Sequence, residues 1–74
     1  MTPKYLLIIK TIENGTRTYT VDEFELNKEA GIISGKFNSG KKFSYHYYDR
    51  NVLYIAINFY KNNAIYFAYS KKEK

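Results

Sequence analysis

The chain has 74 residues, no cysteine, and twelve Lys or Arg against seven Asp or Glu, for a net charge of +5. At this length it makes one small domain that buries only about 60% of the surface of its unfolded chain, with no disulfide or thiolate–metal staple to help. A hydrophobic fraction of 45% places it among globular rather than disordered chains. The longest apolar run, Tyr5 to Ile9, is far short of the roughly 20 residues a membrane helix needs. Flanked by Lys4 and Lys10, it does not have the layout of a signal peptide either. These features lead to the expectation of a soluble, cytoplasmic protein that engages no membrane.

Taken in chain order, the signals are those of strands. Tyr, Ile, Phe, Val and Thr dominate, and turn residues recur every 8 to 12 positions. A first strand is expected over about 4–12. Asn14-Gly15 follows, the pair favoured in a two-residue type I′ hairpin, and a second strand covers about 16–21. Phe24 and Leu26 are apolar at even positions, whereas Tyr19 and Val21 are odd. That change of phase predicts a bulge near Asp22-Glu23.

Residues 27–31 read as a turn ending in a left-handed Gly31, and a strand is expected over 32–37. Asn38-Ser39-Gly40 is a three-residue loop that places Ile33 opposite Tyr45, and 43–48 is the next strand. After a turn at 49–51, the last hairpin joins 52–60 to 64–70 through Lys61-Asn62-Asn63. Its expected register pairs Phe59 with Ile65, Ile57 with Phe67 and Ile55 with Tyr69, giving a continuous apolar face. Ile55, Ile57, Phe59, Ile65 and Phe67 are therefore expected in the core. One alternative is a short helix over 21–30, since Thr20 to Glu23 fits a capping box and Gly31 a stop. Against it, Phe24 and Leu26 lie about 200° apart on a helix and share a face only on a strand.

The predicted fold is all-β: six short antiparallel strands in a meander, curled into a small barrel or a highly twisted sheet. In size it resembles SH3-like and OB-like layouts. Residues 1–70 form the single domain and 71–74 a basic tail.

The chemistry that the chain lacks is informative. His46 is the only histidine, between two tyrosines, with no strained turn or elbow around a serine. Zinc would need more Cys or His, the acids at 22, 23, 25 and 29 lack the glycine turn of a calcium loop, and no glycine-rich phosphate loop is present. No enzymatic activity, no cofactor, no metal and no small-molecule substrate are expected.

Charge and aromatics are unevenly spread. Residues 1–30 carry four cations against five acids, net −1, while 31–74 carry eight against two, net +6. The second part also holds seven of the nine tyrosines. On strands, its odd positions form a core set. Its even positions form a second face, too aromatic for an ordinary wet surface, which suits tyrosine at an interface. The expected partner-binding residues are Lys36, Lys42, His46, Tyr48, Arg50, Tyr54, Asn58, Tyr60, Lys61 and Tyr66. One partner class is nucleic acid, single-stranded or a duplex backbone, with bases on tyrosine and phosphate on lysine. The alternative is an acidic protein surface, with the chain an inhibitor or adaptor. Small virus- or plasmid-encoded inhibitors of host nucleases, including anti-CRISPR-type proteins, are of this size. A homo-oligomer through the same face is a variant of that reading.

Overall fold

The computed structural model describes residues 3–71, so most of the expected basic tail at 71–74 lies outside the described residues. Six strands form: β1 (Tyr5–Thr11), β2 (Gly15–Asn27), β3 (Ile32–Phe37), β4 (Lys42–His46), β5 (Val52–Phe59) and β6 (Ile65–Ser70). They build one antiparallel sheet in the order β4-β3-β2-β1-β5-β6. The first four follow as a meander. The connection after β4 then returns across the sheet, and β5 pairs with the free side of β1, placing the apolar Leu6–Ile9 run at the centre. Among the described residues there is no helix, so none crosses a membrane.

The turns set the registers. The first hairpin differs from the two-residue reading: Thr11 pairs with Gly15, leaving Ile12, Glu13 and Asn14 as a three-residue loop. Gly15 alone takes positive φ there (71°), and the Asn14 N–H is satisfied by Thr11 Oγ1 at 3.1 Å. The expected bulge is present, because the β2–β3 register shifts between Val21 and Glu23. The shift rotates Phe24 and Leu26 onto the face that Val21 occupies, opposite Gly35 and Ile33. That pairing excludes a helix over 21–30. Asn38 Nδ2 donates to the Asp22 carboxylate at 2.9 Å and ties the bulge to the next loop. Gly31 (φ 71°) and Gly40 (φ 93°) close their turns as left-handed glycines, and Ile33 faces Tyr45.

Two later expectations change. β4 stops at His46, not Tyr48, because Asp49 organises a turn: its N–H reaches the His46 carbonyl and its carboxylate accepts from the Asn51 N–H at 2.8 Å. In the last hairpin Ile57 pairs with Phe67 and Ile55 with Tyr69, but the register then shifts and Ile65 faces Asn58 instead of Phe59. Asn63 sits in the left-handed region (φ 58°) and its N–H bonds the Phe59 carbonyl, while the Phe59 N–H bonds that of Ala64. This tight closure leaves an extra residue on β6. Phe59 and Ile65 are consequently 38% and 64% exposed and do not belong to the core.

The core is one face of one sheet: Leu7, Ile9, Val21, Ile33, Phe43, Ile55 and Ile57. Among the described residues no second layer covers it. The sheet curls instead, and Tyr47, just past β4, is the plug. Its side chain is 2% exposed, with its ring 5.4 Å from Phe67 and 5.0 Å from Tyr69 on β6. The two rims thus meet through side chains, although no ladder joins β4 to β6.

The tight curl has one backbone requirement. A Cβ on Gly35 would overlap the Glu23 carbonyl and lie 2.7 Å from the Phe24 Cα, backbone atoms that cannot swing aside. Gly35→Ala is expected to lower stability by about 1–3 kcal/mol through overpacking, read as a lower denaturant midpoint at unchanged slope. Ile57→Ala, which opens a cavity at the sheet centre, should cost about 2–5 kcal/mol in the same measurement.

Candidate binding surface

The ten residues singled out by sequence do not form one surface. Lys36, Lys42 and His46 lie at the β4 side of the outer face, and Lys36 stands opposite both Glu23 and Lys42. Tyr54 and Asn58 lie on β5, on that outer face but four strand spacings from β4, roughly 19 Å along the sheet. Tyr48 and Arg50 belong to the β4–β5 connection. The Tyr48 ring rests on Gly31 and against Tyr47 (4.9 Å) and Tyr69 (5.4 Å), while its hydroxyl donates to the Lys28 carbonyl at 3.3 Å. Asn58 is buried, and its Nδ2 donates to Asn63 Oδ1 at 3.2 Å. That contact braces the hairpin end from within.

Tyr60, Lys61 and Tyr66 do come together. The register shift in β6 turns Tyr66 off the even-numbered face and onto the core side. There its ring meets Phe24 at 5.1 Å and Phe59 at 5.6 Å. Tyr5 completes the cluster, edge-on to Phe24 at 4.8 Å and 5.8 Å from Phe59. Tyr60 is anchored by its N–H on the Lys4 carbonyl at 3.0 Å. The result is an open groove of about 580 Å³ between β1 and the end of β5, lined by Pro3, Lys4, Tyr5, Phe59, Tyr60 and Lys61. Tyr60 remains 42% and Tyr66 55% exposed, while Ile65, paired with Asn58, lies on the opposite face.

Sequence reading missed Tyr5, Phe59 and Lys4 as parts of this surface. The signal was faint: Lys61-Asn62-Asn63 holds two residues able to take positive φ, and the closure it makes decides whether Ile65 pairs with Phe59 or with Asn58. The sheet pairing of Tyr5 with Phe59 had no local cue at all.

Two phenols are perturbed. Burial raises Tyr47 above its ordinary value, with the neighbouring Tyr48 and Tyr69 adding to the effect. Burial also raises Tyr45, reinforced by Tyr19 and opposed by Arg17. Neither lies in the groove. Among the described residues, no three His, Asp or Glu side chains gather where they could hold a metal ion.

Comparison with family models, with curated proteins and with solved structures finds no match to this chain.

The raised phenols give a pH dependence with a definite sign. The folded state holds these protons more tightly than the unfolded chain, so their contribution is complete below pH about 10 and is lost as pH rises beyond it. The melting temperature should therefore fall above pH about 10, and Tyr47→Phe should flatten that fall. An unchanged slope in the variant would show that Tyr47 ionises freely.

Proposed function

We propose that this chain is a non-catalytic binding module, and that its partner is a protein presenting an apolar contact bordered by acidic groups. The observation that carries the reading is the grouping of exposed hydrophobic side chains. Of the six large ones exposed among the described residues, three (Phe59, Tyr60 and Tyr66) gather at one end of the sheet, bordered by Lys4 and Lys61. Monomeric proteins rarely keep such a patch without a use, and aromatic anchors with a charged rim are the usual make-up of an interaction hot spot. An inhibitor that occludes a host enzyme is one role this arrangement would serve.

Nucleic acid is the second reading, favoured by Tyr60 and Tyr66 beside two lysines and by the net charge of +5. It is the weaker one. Two lysines neutralise few phosphates, and Lys36 faces Glu23 on the outer face.

The test compares Tyr60→Ala and Lys61→Glu with the native chain. Affinity capture from the source cell should recover a protein that Tyr60→Ala retains at least about tenfold less, at a melting temperature within a few degrees of native. Lys61→Glu should mainly slow association with that protein. Tight binding of a generic single-stranded oligonucleotide, falling steeply with salt and lost in both variants, would replace this reading with the nucleic-acid one.

A further inference from the structure

The open sheet has two rims, β4 and β6, and they are built differently. In an antiparallel ladder, residues alternate between those whose N–H and C=O point at the partner strand and those whose groups point away. The Tyr47 N–H donates to the Gly31 carbonyl, and Phe37 donates to that of Lys41. In this register the inward-bonding residues of β4 are odd-numbered, so Lys42, Ser44 and His46 present their backbone to the free rim. Lys42 carries a charge there, and Lys41 precedes it. Charged residues, lysine above all, are how natural sheets keep a rim from pairing.

On β6 the Lys71 N–H donates to the Leu53 carbonyl at 3.1 Å. The same register makes Tyr69 and Phe67 inward-bonding and leaves Ala68 and Ser70 with their backbone groups directed at the free rim. Both side chains are small and exposed. From Ile65 to Ser70 the strand has no charge, no proline and no glycine. The Lys71 ammonium that ends it is turned away, onto the Asp49 carbonyl. One rim is guarded and the other is not.

We infer that the β6 rim pairs with a second copy of this chain, antiparallel and about a two-fold axis at Tyr69. The register is self-complementary. Ala68 of one copy faces Ser70 of the other, and the reverse, so four backbone hydrogen bonds form between groups that already point outward. Tyr69 meets its own copy as a non-hydrogen-bonded pair on the core side, where cross-strand side chains come closest. Such an interface is isologous, closed at two copies, and joins two six-stranded sheets into one. A second copy fits this rim better than a charged strand does, because the rim offers no charge to read. The interface uses the far side of β6 and leaves the groove between β1 and β5 open, so it stands independently of the partner proposed above.

Sedimentation equilibrium on the full chain, from roughly 10 μM to 1 mM, covers the range in which small interfaces dissociate. The expected result is a monomer–dimer equilibrium. Ala68→Pro removes a rim donor without touching the β5 ladder, a position where sheets tolerate proline. It should weaken dimerisation at least tenfold while the melting temperature at low concentration stays near native. Ser44→Pro, the matching change on the β4 rim, should leave dimerisation as it was. Should Ala68→Pro fail to fold, amide exchange of the native chain decides: the Ala68 and Ser70 amides should gain protection as concentration rises, and those of Ser44 and His46 should not. A monomer at 1 mM, undiminished dimerisation of a folded Ala68→Pro, or exchange at Ala68 independent of concentration would each overturn the inference.

Discussion

A single sheet has two faces and can bury only one without help. In this chain that limit governs nearly everything else, because the described residues supply no helix or second sheet as a lid. The sheet covers its core face by curling, and Tyr47 makes the curl hold. It leaves β4 at one rim and lodges its ring between Phe67 and Tyr69 near the other. The phenol brings a large apolar body to a place the strands cannot reach. Around it, Lys28 lies over the Phe67 ring and Tyr48 covers Tyr69, so the two connections of the core side act together as a partial lid.

Curling so short a sheet needs local breaks in the ladder, and both important ones are bulges. The break at Asp22 shifts the apolar phase of β2 and lets the strand bend round the core. It also brings Glu23 and Phe24 so close to β3 that only a glycine fits opposite them. The break on β6 works in the opposite sense. It does not serve the core but turns Tyr66 towards Phe24 and leaves Ile65 outside. One distortion closes the domain, and the other creates the exposed aromatic end.

Fold class was legible because strand period and turn chemistry are local. The change from odd to even apolar positions around Asp22 located a bulge, and Gly31 and Gly40 located their turns, since left-handed backbone favours glycine. Asn14-Gly15 was read one residue too tight. Its dipeptide suits a two-residue turn, but the Thr11 hydroxyl caps a three-residue loop instead. The candidate surface was only partly legible. Alternation along β5 and β6 treats every even residue as sharing a face, and a single extra residue on β6 breaks that rule for Tyr66. Strand order was the larger obstacle: with β2 and β1 between them, Lys36 and Tyr54 share a face but not a site.

The distribution of charge follows from the same architecture. Basic residues are commonest in the second part of the chain, yet the fold disperses them to the β4 rim, the β4–β5 connection and the β5–β6 turn. A polyanion needs a continuous track of cations, and this placement makes none across the outer face, where Lys36 faces Glu23. Lys41 and Lys42 instead guard the β4 rim, and Lys4 and Lys61 border an apolar groove. Counting charges along the sequence gave the basic residues a common purpose. In three dimensions they divide between keeping one rim solitary and steering an approach to the aromatic end.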